Sequence, residues 1–85
     1  MKERFNILFL CTGNSARSQM AEALTRLLGS SRLCAFSAGS HATGNVHPQA
    51  LQVLQDAGVP SDGLRSKSWD EFTGPDAPQM DLIIT

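Results

Sequence analysis

The chain has 85 residues, a formal net charge of −1 and 18% charged residues, a size that favours one small domain spanning residues 1–85. The near-neutral charge argues against nucleic-acid binding, which needs clustered surplus lysine and arginine. The sequence contains no signal peptide and no apolar run near the roughly 20 residues that span a bilayer. We therefore expect a cytoplasmic protein without membrane contact, in which Cys11 and Cys34 are reduced thiols.

The first predicted element is a strand at residues 5–10, where a nearly continuous apolar run is typical of a parallel strand covered on both faces. From Arg17 the apolar residues change to helical spacing, which predicts a helix that stops at Gly29. Within it, Glu22 and Arg26 are four residues apart and are expected to form an exposed ion pair. The predicted apolar positions of this helix are Met20, Ala23, Leu24, Leu27 and Leu28.

A turn is predicted at Ser30-Ser31, followed by a second strand over residues 33–36 that ends at residues 37–40. Pro48 fits the first turn of a second helix, because the missing N–H of proline costs nothing there. Gly58 is expected to end that helix.

Ser68 and Glu71 have the spacing of a capping box, which predicts a short helical turn around residues 69–72. Trp69 and Phe72 are expected in the core, and the alternative role for them is stacking against a substrate. A third strand is predicted at residues 81–85.

The order strand, helix, strand, helix, strand predicts an α/β fold with a parallel sheet and right-handed crossovers. Ligands of such sheets bind at the carboxyl ends of the strands, where the segment starting at Cys11 is expected. Because the third strand has no following helix, we expect the first part of an α/β domain, truncated after that strand. Self-association through the open sheet edge is a further expectation.

Cys11 and Arg17 enclose a short loop of small or turn-prone residues between the first strand and the first helix. Backbone N–H groups of such a loop converge on an anion at the helix N-terminus, and these surroundings favour a thiolate. Arg17 can hold two oxygens of a phosphate-like anion, and Gly13 and Asn14 suit the positive φ of a tight nest. Ser18 could donate its hydroxyl to the sulfur. The alternative role for Cys11 is a small buried hydrophobic residue.

The block from Cys11 to Glu22 resembles the opening of the low-molecular-weight protein tyrosine phosphatase superfamily, and more closely the arsenate reductases that share its fold. Ser37-Ala38-Gly39, His47-Pro48 and residues 65–72 occur in the same order as in that branch. The resemblance implies a three-layer α/β/α, flavodoxin-like fold with a parallel sheet. It also implies chemistry on a tetrahedral oxyanion.

By the same resemblance, Cys11 is the nucleophile, Arg17 clamps the oxyanion and Ser18 supports the thiolate. Asn14 and Ser37 would belong to a second layer of hydrogen bonds that pins the loop. The resemblance implies that the oxyanion is bound by Thr12, Gly13, Asn14, Ser15, Ala16 and Arg17.

The cysteine attacks phosphorus in the phosphatases, whereas in the reductases it attacks arsenic and further thiols take the electrons. An arsenate reductase is the favoured interpretation, with arsenate, phosphate or a phosphoester as substrate. No bound cofactor is expected. A reductase would need an external thiol reductant such as thioredoxin, glutaredoxin or a low-molecular-weight thiol.

Two alternatives stay open: a protein tyrosine or small phosphoester phosphatase, and a non-catalytic module that only binds oxyanions. The family's aspartic general acid and its resolving cysteines would match positions beyond Thr85, so these 85 residues are expected to be weakly active or inactive alone. Cys34 is expected to be a buried structural cysteine rather than a resolving thiol. His41 and His47 lack companion ligands, so no metal site is predicted.

Overall fold

The computed structural model describes residues 4–29 and 32–85, in which three parallel strands form one sheet. The turn predicted at residues 30–31 lies outside the described residues. The strands, in the spatial order β2-β1-β3, are β1 (Phe5–Cys11), β2 (Leu33–Gly39) and β3 (Leu82–Ile84). The predicted α/β class and parallel sheet are confirmed.

Strands β1 and β2 are both longer than the apolar pattern predicted, because they stay paired to their last residues. Phe5 lies opposite Leu33, and the ladder continues until Cys11 lies opposite Gly39. The N–H of Gly39 then donates to the carbonyl of Lys67 at 3.0 Å, which ties a distant segment to the end of β2. The carboxyl ends of β1 and β2 therefore meet at one edge of the sheet.

Among the residues that the structure describes, the strands are connected by helices α1 (Arg17–Leu28) and α2 (Pro48–Asp56) and by a 3₁₀ helix (Trp69–Phe72). The prediction that α2 begins at Pro48 is confirmed. His47 caps this helix, because its Nδ1 accepts a hydrogen bond from the N–H of Gln49 at 3.0 Å. In the described part of the chain, no helix combines the length and the apolar character that a membrane crossing needs.

The main apolar cluster lies where α1 packs against α2. Ala23 and Leu54 are each 2% exposed and Val59 6%, with Met20 and Leu64 packed against them. The sheet adds Leu8, the buried residue of β1. Coverage of β1 on both faces is therefore less complete than the sequence suggested.

Helix α1 turns a largely polar stripe towards the interior, contrary to the apolar face predicted for it. Its buried residues are Ser18, Gln19, Glu22 and Ala23. Leu24, Leu27 and Leu28 are exposed. The expected exposed pair of Glu22 with Arg26 is wrong in the same way, because Glu22 is only 1% exposed although it does contact Arg26.

The segment around the 3₁₀ helix forms half of the predicted capping box. The Ser68 hydroxyl oxygen accepts from the N–H of Asp70 at 3.1 Å, but Glu71 turns away and binds Arg65 through two hydrogen bonds. Phe72 packs edge-on against a sheet residue, Phe36, at 5.6 Å between ring centroids. Trp69 is 45% exposed, so its predicted place in the core is wrong.

Candidate active site

The loop at residues 12–16 joins the end of β1 to the start of α1, so Cys11 is the last strand residue and Arg17 the first helical one. Asn14 has φ of 49°, the left-handed conformation that asparagine tolerates better than most residues. Gly39 on β2 lies directly against the loop. A Cβ at Gly39 would meet the carbonyl oxygen of Thr12 at 2.5 Å, so the close approach of loop and strand requires glycine.

Residues 40–47 hold the outer side of the loop through backbone hydrogen bonds to its carbonyl groups. The bonds run from Ser40 N to Cys11 O (3.2 Å), His41 N to Thr12 O (2.9 Å), Thr43 N to Gly13 O (3.0 Å) and His47 N to Ser15 O (2.6 Å). In a trans peptide the carbonyl and the next N–H point in opposite directions. The N–H groups that follow these carbonyls therefore face the other side of the loop.

The N–H of Asn14 demonstrates this orientation, since it donates to Cys11 Sγ at 3.1 Å while the preceding carbonyl of Gly13 faces outwards. By the same argument, the N–H groups on the inner side belong to Thr12, Gly13, Asn14 and Ala16. Converging N–H groups at a helix N-terminus suit an anion.

A chain of hydrogen bonds runs from the Lys67 backbone N–H through the side chains of Asn14 and Ser18 to Cys11 Sγ. Lys67 N–H donates to Asn14 Oδ1 at 2.8 Å, so the Asn14 carboxamide must present Nδ2 to Ser18 Oγ, also at 2.8 Å. The Ser18 oxygen accepts there, and its hydroxyl lies 2.9 Å from Cys11 Sγ, where it can donate to a deprotonated sulfur. These contacts connect the sulfur to residues 65–68 through Asn14 and Ser18.

Gln19 belongs to the same arrangement although the sequence analysis gave it no role. Its Nε2 lies 3.0 Å from both the Asn14 carbonyl and Asn14 Oδ1, and 2.7 Å from the carbonyl of Arg65. Gln19 is fully buried, so these bonds join the loop to the segment 65–68 inside the protein. Ser66 adds a bond from its hydroxyl to the Gly13 carbonyl at 3.1 Å.

Unlike Asn14, Ser37 is bonded to neither the sulfur nor Ser18, and its contacts are with Glu22 and Lys67. Its hydroxyl donates to Glu22 Oε1 at 2.6 Å, and the Lys67 ammonium approaches both, at 3.4 Å from Ser37 Oγ and 3.6 Å from Glu22 Oε1. Burial lowers the pKa of Lys67, while the carboxylate of Glu22 opposes that shift. Six buried residues form a polar cluster next to the loop: Asn14, Ser18, Gln19, Glu22, Ser37 and Lys67.

Cys11 and Arg17 open into one cavity of about 510 Å³. Thr12, Ser18 and Ser40 contribute polar groups to its wall. Its apolar side is formed by Phe9, Leu10, Ala21, Trp69 and Ile84. The thiol and the guanidinium that the sequence singled out are therefore brought to one concave site, next to an aromatic ring that the sequence analysis assigned to the core.

Cys34 cannot serve as a thiol partner of Cys11 within one chain. It pairs with Asn6 near the start of the sheet, whereas Cys11 pairs with Gly39, five residues further along β2. At about 3.3 Å per residue this separation is roughly 16 Å, far beyond the roughly 7 Å that a disulfide tolerates between Cα atoms. Cys34 is half-buried rather than fully buried.

His47 lies at the start of α2 and His41 next to the loop, where its Nδ1 is 3.2 Å from Ser40 Oγ. Among residues 4–29 and 32–85, no group of three histidine, cysteine or acidic residues could hold a metal ion.

Comparison with known proteins gives consistent matches over this region. The family model described as low molecular weight phosphotyrosine protein phosphatase matches residues 6–85. An arsenate reductase from Brevibacillus brevis is 36% identical over 85 residues, covering 100% of this chain and 60% of the relative. The chain thus spans about 60% of the length of that curated relative.

The fold is shared with solved structures, among them an arsenate reductase and a phosphatase. The thioredoxin-dependent arsenate reductase of Corynebacterium glutamicum superposes with a TM-score of 0.77 at 25% identity, covering 95% of this chain and 48% of that one. The low molecular weight protein tyrosine phosphatase of T. tengcongensis gives 0.69 at 32% identity, covering 93% of this chain and 56% of that one.

Proposed function

Because the chain belongs to the low molecular weight phosphotyrosine protein phosphatase family, we propose that it binds a tetrahedral oxyanion at Cys11 and acts in arsenate reduction. The observation that carries the proposal is the position of Cys11 Sγ. It accepts from the Asn14 N–H at 3.1 Å, lies 2.9 Å from Ser18 Oγ and shares a cavity with Arg17. The match to arsenate reductases over the full chain supports arsenate as the substrate.

In the proposed reaction the Cys11 thiolate attacks arsenic, and one arsenate oxygen leaves as water after taking up protons. The product is a cysteine–arsenic(V) adduct, whose oxygens the loop N–H groups and Arg17 neutralise. A second thiol then attacks Cys11 Sγ, so a disulfide forms and the sulfur–arsenic bond breaks. Its electron pair stays on arsenic, which leaves as arsenite.

The second thiol must come from outside the residues described, because Cys34 lies too far from Cys11. An external thiol reductant fills that role in the proposal. The thioredoxin dependence of the Corynebacterium glutamicum relative supports this class of reductant.

A phosphatase is the second candidate, favoured by Trp69. Its exposed ring forms part of the cavity that contains Cys11, where it can stack against the ring of an aryl phosphate. The resemblance to the T. tengcongensis phosphatase is in keeping with this alternative.

Oxyanion binding is tested first, without requiring turnover. In a Cys34→Ser background, Cys11 is the one remaining thiol and its alkylation by iodoacetamide is followed by mass spectrometry. We expect arsenate, phosphate and vanadate to slow alkylation, and Arg17→Ala to remove that protection. Equal alkylation with and without the anions in the unmutated loop would overturn the proposal.

The reaction type is decided by two assays on the same preparation. Arsenite formed from arsenate with thioredoxin or dithiothreitol supports the reductase, and p-nitrophenol released from p-nitrophenyl phosphate supports the phosphatase. Protection from alkylation with neither product would leave a module that only binds oxyanions. Cys11→Ser abolishes either product, whereas Cys34→Ser, the matched control, retains it.

A further inference from the structure

Lys67 is an unusual residue to find at the base of an anion site, because its ammonium group is enclosed in the protein. The side chain is 8% exposed, and Nζ lies 2.8 Å from the carbonyl of Arg65 and 3.4 Å from Ser37 Oγ. Enclosing an ammonium ion costs free energy unless it is paired and hydrogen-bonded. Lys67 therefore needs a negatively charged partner inside the protein.

Glu22 is the counter-charge. Its carboxylate is 1% exposed, accepts a hydrogen bond from Ser37 at 2.6 Å and lies 3.6 Å from Lys67 Nζ. Arg26 also reaches this carboxylate, but its own side chain is 44% exposed. Lys67 is thus the enclosed cation that compensates a buried negative charge close to the anion loop.

The backbone of Lys67 is bonded both to the loop and to the end of β2. Its N–H donates to Asn14 Oδ1 at 2.8 Å, and its carbonyl accepts from the N–H of Gly39, which lies opposite Cys11 in the sheet. The first bond orients the Asn14 carboxamide, which donates to the Ser18 oxygen, and that oxygen lies 2.9 Å from the sulfur. The ion pair and hydrogen bonds of the ammonium hold the Lys67 side chain in place. The backbone N–H of the same residue bonds to Asn14 of the loop.

We propose that Lys67 is a positioning residue for Cys11, whose ion pair with Glu22 holds residues 65–68 where the Lys67 N–H sets the Asn14–Ser18–Cys11 hydrogen bonds. The proposal rests on the proposed function of Cys11 as a thiolate nucleophile. Lys67 touches neither the sulfur nor, in this geometry, the oxyanion. It acts on the thiolate through Asn14 and Ser18.

The test compares Lys67→Met and Lys67→Arg in the Cys34→Ser background, with the rate of Cys11 alkylation by iodoacetamide measured from pH 5 to 9. Lys67→Met keeps a side chain of similar length without the charge. We expect it to slow alkylation at neutral pH by about three- to tenfold, the value of one hydrogen bond to the thiolate. Lys67→Arg should recover part of the loss.

Two controls separate positioning from general loss of stability. Leu54→Ala weakens the apolar cluster without touching the loop, so it should lower the free energy of unfolding and leave the alkylation profile unchanged. If Lys67→Met does not fold, the double variant Lys67→Met/Glu22→Gln decides, because it removes both buried charges together. The double variant should still alkylate slowly.

A folded Lys67→Met protein, or the folded double variant, with the alkylation profile of the parent would overturn the inference. That result is distinct from failure of the proposed function. The latter is seen as missing protection by arsenate or phosphate in the parent protein, whatever Lys67 does.

Discussion

The two ends of helix α1 differ in what they bury. At its N-terminal end, polar residues are enclosed: Asn14, Gln19 and Ser37 are fully buried and Glu22 nearly so. At its C-terminal end, Leu27 is 51% and Leu28 79% exposed. The chain therefore buries hydrogen-bonding groups at the loop and leaves apolar groups in contact with solvent at the far end, the reverse of an ordinary globular distribution.

This difference indicates that the buried hydrogen bonds at the N-terminal end of α1 determine the conformation of the loop. Each buried polar group must keep its partners, because an unpaired one costs about 1–3 kcal/mol. The polar cluster therefore admits few arrangements of the loop, as a preorganised anion site needs. The exposed leucines impose no comparable restriction. We therefore expect substitutions at the loop to cost more than substitutions at exposed positions elsewhere.

Asn14→Ala is expected to have the largest effect. It leaves the Lys67 N–H without its acceptor, removes the donor to Ser18 and places alanine at φ of 49°. We expect a loss of about 2–4 kcal/mol in the free energy of unfolding, measured by urea titration, together with slower alkylation of Cys11. Asn14→Gly is the matched control, because it loses the same hydrogen bonds without the backbone strain. Equal stability of the two variants would show that the φ angle contributes nothing.

Gly39→Ala comes next. The added methyl group would meet the Thr12 carbonyl oxygen at 2.5 Å, and a backbone atom cannot swing aside, so the loop must shift. We expect a cost of about 1–3 kcal/mol and weaker protection of Cys11 by phosphate. Gly74→Ala is the control, since a Cβ there meets nothing within 4 Å. Unchanged protection in Gly39→Ala would mean that the loop does not depend on this contact.

The Arg65–Glu71 pair should have a smaller effect that depends on pH. The hydrogen bonds from Arg65 lower the pKa of Glu71, so the pair stabilises the fold at neutral pH and this contribution disappears as the carboxylate is protonated in acid. Both side chains are more than a third exposed, so Arg65→Ala should cost only about 0.5 kcal/mol at pH 7. Urea titrations at pH 7 and pH 3 should show the difference between parent and variant shrinking in acid. A constant difference would contradict the ion-pair explanation.

The smallest change in monomer stability is expected for Ile83→Lys on the edge strand β3. Ile83 is 53% exposed, so the substitution should change the free energy of unfolding by no more than about 0.5 kcal/mol. Strands with exposed edges pair with other chains, and a lysine there opposes such pairing. If the protein self-associates through this edge, light scattering will show a smaller species for Ile83→Lys. An unchanged molecular mass would show that the protein does not self-associate through this edge.

The elements that shape the loop were predictable because each has a local signal. The apolar run before Cys11, the helical spacing after Arg17 and the proline at position 48 identified β1, α1 and the start of α2. Cys11, Arg17 and Ser18 were singled out on their chemistry, and the structure places them at one site.

The rest depended on contacts between distant residues. Gln19 and Glu22 have the side chains of exposed helix positions, and their burial follows from segment 65–68 and Ser37, which lie far away in the sequence. Lys67 carries no signal of burial, since lysine is seldom enclosed. Trp69 was assigned to the core on hydrophobicity, whereas the 3₁₀ helix turns it towards the cavity.

The hydrogen bonds from residues 40–47 to the outer face of the loop have a practical consequence. Apart from Ser40, which lines the cavity, the donor residues lie on the side of the loop away from Cys11 Sγ. Native-state hydrogen exchange at His41 and Thr43 would thus follow the opening of the loop without altering any residue that lines the cavity. Nuclear magnetic resonance of an isotopically labelled sample would measure these exchange rates during a phosphate titration. Slower exchange at higher phosphate concentration would show that anion binding stabilises the closed loop.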